Sequence, residues 1–151
     1  MTDMETPNPD LRTLARLAGT WRVSGEATGQ VRYEWTEGGF FLIQHFDLIH
    51  GDRPIRGIEV IGHLHPFGGE PSADVHTRVY SFTDGQTLDY VYDLTGDTLT
   101  IWAGQRGSPS FYRGTFGEDG QTVTGGEDGP DRAGTRAPRP RPASPTQEVR
   151  P

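Results

Sequence analysis

The chain has no cysteine and no lysine, so all fourteen of its basic residues are arginine. Without thiols it can build neither a disulfide framework nor a thiolate-held metal site. No apolar run approaches the ~20 residues of a membrane-spanning helix. The opening MTDMETPNPD is acidic and polar, unlike a secretory leader. Positive charge is scarce, with a net charge of −7 over 151 residues. An acidic surface is poorly matched to nucleic acid or an anionic membrane. Neither is expected as a partner, and the expected location is cytoplasmic. Long helical periodicity is missing, and strand–helix alternation with it, which argues against a parallel sheet. The length allows one domain with one core.

What the chain does have is concentrated between Gly39 and His65. GGFFLIQHFDLIH, the turn GDRP and IRGIEVIGHLH read as two long strands of a hairpin. Both parities of the first strand are apolar. Phe40, Leu42, Phe46 and Leu48 lie on one side, with Phe41, Ile43 and Ile49 on the other. Ile58 and Val60 oppose Ile55 and Ile61 in the same way. One face can fill a core, and the other needs cover. A homodimer through the 40–61 hairpin would supply that cover. The alternative covers are the N-terminal helix and the loop 66–74.

Shorter strands flank the hairpin. Trp21–Gly25 begins them, and Val31, Tyr33 and Trp35 alternate with Gln30, Arg32 and Glu34. Strands are further expected at His76–Phe82, Leu88–Asp93, Thr98–Trp102, Ser110–Phe116 and Gln121–Thr124. Turn signals such as Thr83-Asp84-Gly85, Gly96-Asp97 and Glu118-Asp119-Gly120 separate them. About nine strands at this spacing predict an all-β, antiparallel barrel or sandwich. Asp10 is placed to cap a short helix carrying Leu11, Leu14, Leu17 and Ala18 on one stripe, stopped by Gly19. Residues 1–9 are polar and expected to be disordered. Residues 127–151 contain no aromatic residue and alternate Arg with Pro, so they form an expected disordered tail beyond a domain at 10–126. Arg139-Pro-Arg141-Pro also has the form of a ligand for Pro-reading domains, although such tails are more often inert.

Leu17-Ala-Gly-Thr-Trp21 resembles the Gly-x-Trp opening of lipocalin-like, or calycin-like, barrels. Gly39-Phe-Phe-Leu, Gly57–Gly62, Tyr80–Gly85, Phe111–Phe116 and Asp119–Gly125 resemble an uncharacterised bacterial lipocalin-like family of unknown function. The resemblance spans roughly residues 11–126. The resemblance implies a lipocalin-like barrel with Trp21 near one end of the core. It supplies no catalytic residues. It also implies a Trp-containing strand and a closing strand where this chain runs into its Arg/Pro-rich segment. Either those strands are missing or the barrel closes with fewer.

Several residues carry candidate chemistry. His63 and His65 stand at i and i+2, so on one strand face they could share a divalent metal. With Gly57 and Glu70 they follow the spacing of the first metal motif of cupins. The closing Gly is absent (Thr77 stands there), and no His follows His76 to complete a second motif. Two histidines at a strand end entering a loop are the plainer account. His45, beside Ile43, could face haem in an apolar pocket, as in nitrobindin-type barrels. Those depend on a late His that this chain lacks. Arg78 and Tyr80 share one strand face, and Tyr90 and Tyr92 share another. Trp102 and Arg113 lie on neighbouring strands. Aromatics with a few polar groups suit a small-ligand pocket, and an inward Arg would favour a ligand carboxylate or phosphate. The same residues are ordinary filling for a small barrel. Glu34, Asp47 and Glu59 are read as polar residues on the solvent side. No nucleophile elbow, P-loop or dinucleotide fingerprint is present.

The expected protein is therefore a lipocalin-like barrel with a short N-terminal helix. It is expected to bind a small, partly apolar ligand, with an anionic group as an option, through His45, Arg78, Tyr80, Tyr92, Trp102 and Arg113. No cofactor is expected. The alternatives are a metal-dependent enzyme using His63 and His65, or a structural protein with no ligand. Which strand parity faces inward is open, and a one-residue slip would exchange every pocket residue for a surface one.

Overall fold

A computed structural model describes residues 6–128 and 144–145 of the chain. Nine strands follow in chain order, each antiparallel to the next. They are β1 Gly19–Val23, β2 Ala27–Trp35, β3 Leu42–His50, β4 Arg53–His63 and β5 Val75–Ser81. Then come β6 Thr87–Thr95, β7 Thr98–Ala103, β8 Phe111–Phe116 and β9 Val123–Asp128. A two-residue strand, β10 Ser144–Pro145, pairs with the outer edge of β1. All nine expected strands are present. Side-chain chemistry closes the turns between them: the carboxylates of Asp84 and Asp119 accept from the backbone N–H two residues on, at 3.1 and 2.9 Å. Gly96 takes a φ of 59° between β6 and β7, a conformation that side chains disfavour.

The sheet curls into a half-barrel. Trp21 on β1 and Phe116 on β8 stand near opposite ends of the strand order. Their rings nevertheless meet edge to face with centroids 6.3 Å apart. β1 and β9 are not hydrogen-bonded neighbours, so no backbone ladder joins the two sides of the half-barrel, and Trp21 and Phe116 make a side-chain contact between them. Close approach of small and large residues tightens the curl. Gly57 on β4 pairs with Phe46 on β3, and a Cβ at Gly57 would meet the Phe46 ring at 2.7 Å and the Tyr80 carbonyl.

The N-terminal helix is shorter and tighter than expected. A single α-turn, α1 Pro9–Arg12, runs into a 3-10 helix over Thr13–Leu17. The cap is Asn8, not Asp10: the Asn8 side chain accepts from the Asp10 N–H at 3.4 Å. Asp10 lies in the first turn, where the helix dipole favours negative charge. Leu11, Leu14 and Leu17 are buried, whereas Ala18 is exposed. A spacing of three residues is the 3-10 period, so the sequence suits this helix type better than the α-helix. At about 1.5–3 kcal/mol for each fully buried leucine, the three tie the segment firmly into the core. The expected disorder of residues 1–9 and 127–151 falls largely outside the described residues. Within them, Pro9 opens the helix and β9 runs on to Asp128. Among the described residues no helix is long and apolar enough to cross a membrane.

Strand parity is now settled. Inward residues include Val31 and Tyr33 on β2, Leu42 and Leu48 on β3, Ile61 on β4, Val75 on β5, Ile101 on β7 and Tyr112 on β8. They form one cluster with the three leucines of the helix. The helical segment fills the end of the half-barrel where β1 and β3 begin and β2 and β4 finish. Trp21 Nε1 donates to the Leu17 carbonyl at 2.7 Å there, and Arg16 reaches the β6–β7 turn at Asp97, 3.1 Å away.

Candidate functional site

The inner face changes character along its depth. The helix-filled end is apolar, built from Leu14, Leu17, Trp21, Leu42, Ile61 and Leu99. Further along comes a polar layer. Tyr33, Gln44 and Glu59 are consecutive cross-strand partners on β2, β3 and β4, so their side chains stand side by side on the inner face. Gln44 donates through Nε2 to the Tyr33 phenolic oxygen at 2.7 Å. Glu59 is 0 % exposed. It accepts from the Thr77 hydroxyl at 2.7 Å and from the Tyr92 hydroxyl at 3.0 Å. Burying a carboxylate costs several kcal/mol, and hydrogen bonds from hydroxyl groups offset part of that.

Beyond the polar layer the inner face opens. Phe46, Ile55, Tyr90 and Leu88 all point inward, yet none is fully buried, and Leu88 is 42 % exposed. Leu88 pairs with Val79, which pairs with Glu59, so the opening leads to the polar layer within two strands. Among the described residues the buried polar side chains are Thr20, Gln44, Glu59, Thr77 and Thr100, and none is basic. The layer can accept hydrogen bonds and donate them through hydroxyl and amide groups.

Of the six residues expected to line a pocket, Tyr92 alone faces inward. His45 lies on the outer face with Nε2 2.7 Å from Glu34 Oε2. Arg78 is also outside, holding Asp89 through Nε at 2.7 Å and a terminal nitrogen at 3.2 Å. Tyr80 is on the same outer face and 40 % exposed. Trp102 and Arg113 do come close together, but outside the half-barrel. Trp102 pairs with Phe111, the Arg106 guanidinium stacks 4.8 Å over Trp102, and Arg113 stacks 4.7 Å over Phe111. The reason for an anionic ligand, an inward arginine, therefore falls away.

The two histidines do not share a face. β4 ends at His63, so the i, i+2 argument stops there. His63 points inward at the helix-filled end, where Nδ1 lies 2.7 Å from the Ser72 carbonyl and Nε2 lies 3.1 Å from Asp10. His65 is in the following loop and meets the Gly69 carbonyl at 2.9 Å. Among the described residues no group of three or more His, Asp or Glu side chains is arranged to hold a metal ion.

Glu59 is a correction to the sequence reading, which placed it toward solvent with Glu34 and Asp47. Those two do face outward. Glu59 shares the parity of Ile55, Gly57 and Ile61, and that alternation is the signal that would have found it once Ile61 was taken as inward. On the outer face, charge is paired locally. The hydrogen bond from His45, and after it the one from Arg32, hold the Glu34 carboxyl below its ordinary range. Arg78 does the same for Asp89.

Compared with protein-family models and with curated proteins, the chain matches none of either.

Proposed function

We propose that this protein binds a small, largely apolar molecule in the concave face of the half-barrel, through the opening at Ile55, Leu88 and Tyr90. The observation that carries this reading is the buried polar layer around Glu59 beneath a partly exposed apolar rim. Ligand sites are mostly apolar with a few placed polar groups that orient the molecule. Here the polar groups are a carboxylate, an amide and hydroxyls, so the favoured ligand presents a hydrogen-bond donor such as an alcohol or amine. The similarity of Gly19-Thr-Trp21 to the opening of lipocalin-like barrels supports the same reading. Binding is non-catalytic on this account, and the setting is cytoplasmic.

The test combines native mass spectrometry of freshly purified protein with fluorescence titration of aminoanthracene, an apolar fluorophore carrying an amine donor. The expected result is a co-purified organic mass or a fluorescence rise on binding. Leu88→Arg, at the rim, should abolish the signal, and Glu59→Gln should weaken it. A bare chain mass with no fluorescence response would overturn the proposal. A response unchanged in both variants would overturn it equally.

A further inference from the structure

The outer face of β3, β4 and β5 presents an apolar centre. Ile43 pairs with Val60, and Ile58 pairs with both His45 and Tyr80, all with outward side chains. Ile43, Ile58 and Val60 are only half-buried, and Ile49 on the same face is 51 % exposed. Neither of the covers available within the described residues reaches it. The helical segment is inside the half-barrel. The loop after β4 is folded on itself by Ser72 N–H donating to the Leu64 carbonyl at 2.7 Å, and its Phe67 is fully exposed to solvent.

The two flanks of this centre carry matching charge sets. On the β2–β3 side, Glu34 holds Arg32 at 2.9 Å and His45 at 2.7 Å. On the β5–β6 side, Asp89 holds Arg78 at 2.7 Å and His76 at 3.8 Å. Each set has one carboxylate, one guanidinium and one imidazole. We propose that this face is where two copies of the chain pair about a two-fold axis running along the strands between β3 and β4. That rotation lays Ile43 and Val60 of one copy over the same residues of the other. It also sets the Glu34 group of each copy opposite the Asp89 group of its partner, so that acid can meet base on both sides. An isologous contact demands this self-complementarity. A strongly basic or acidic partner would call for a flank of one sign, and neither flank has one. The pairing also covers a face that is an association liability in a lone chain.

The decisive measurement is the mass of the full chain by sedimentation equilibrium at micromolar concentration. Twice the 16.6 kDa chain mass is expected. Val60→Arg should return it to the single-chain mass with an unchanged far-ultraviolet spectrum, because position 60 faces solvent in the lone chain. A second reading does not depend on how that variant folds. The chain has no cysteine, and the axis leaves the two copies of position 60 about one strand spacing apart laterally and one sheet spacing apart in depth, so Val60→Cys should cross-link two copies with a short bis-maleimide, while Thr115→Cys on the outer face of β8 should not. A wild-type chain at the single-chain mass would overturn the proposal. So would a dimer that survives Val60→Arg, or one that cross-links equally well through position 115.

Discussion

Tyr92→Phe is the sharpest probe of the buried polar layer. The ring of Tyr92 is 1 % exposed and stays in place in the variant, so no cavity larger than one oxygen is made. What goes is the O–H that donates to Glu59 Oε1 at 3.0 Å. Glu59 remains fully buried with the Thr77 hydroxyl still donating to its other oxygen. A hydrogen bond to a charged group contributes about 1.5–3 kcal/mol, and leaving a buried acceptor short of a donor costs toward the upper end. The assay is urea unfolding followed by circular dichroism. With a slope of about 1–3 kcal/mol per molar urea, the midpoint should fall by about 1 M. Replacing the connected groups together, with Glu59→Leu and Thr77→Val added to Tyr92→Phe, should recover much of the loss, because Glu59 accepts from both hydroxyls and removing all three leaves no orphan among them. A midpoint shift under about 0.3 M for Tyr92→Phe would refute the reasoning, since it lies below the smallest value a real charged hydrogen bond allows. A triple variant less stable than Tyr92→Phe alone would refute the claim that the buried carboxylate is the source of the cost.

Two further expectations concern the sheet and its outer charges. Gly57→Ala places a methyl against the Tyr80 carbonyl and the Phe46 ring, so it should destabilise by about 1–3 kcal/mol through overpacking, read as a lower thermal midpoint; an unchanged midpoint would show that the β4–β5 ladder yields freely. Glu34 should titrate below an ordinary glutamate in a carboxyl-detected NMR titration, and His45→Ala should move it back up. Because its folded value is depressed, the stabilisation it supplies is present above the ordinary carboxylate range and is lost as pH falls through the folded value. Glu34 is about half exposed, so solvent and salt keep this contribution small. A Glu34 midpoint unmoved by His45→Ala would show that the 2.7 Å contact does not persist in solution.

The strands were legible in the sequence because each carries its own evidence. Val31, Tyr33 and Trp35 alternate with polar residues, and Leu88, Tyr90 and Tyr92 alternate with Asp89, Val91 and Asp93, while Gly-Asp and Asp-Gly steps mark where runs turn. These are local properties of backbone sterics and side-chain period, readable over a few residues. The buried leucines at 11, 14 and 17 were legible for the same reason, although their three-residue spacing favours a 3-10 helix over the α-helix a general stripe suggests. The facing of the central hairpin was different. Both sides of β3 and β4 are apolar, so alternation there carries no sign. Only the curl of the whole sheet, which brings Trp21 against Phe116 and leaves one concave side, assigns Gln44 and Glu59 to the interior and His45, Arg78 and Tyr80 to the exterior. The candidate site was missed with it, since a glutamate among isoleucines reads as solvent-facing until its neighbours' direction is known. Local periodicity thus determined where the strands lie and how they turn. Which of their two faces became the core was decided by long-range closure, because burial depends on what stands across the half-barrel and not on the residues beside it in sequence.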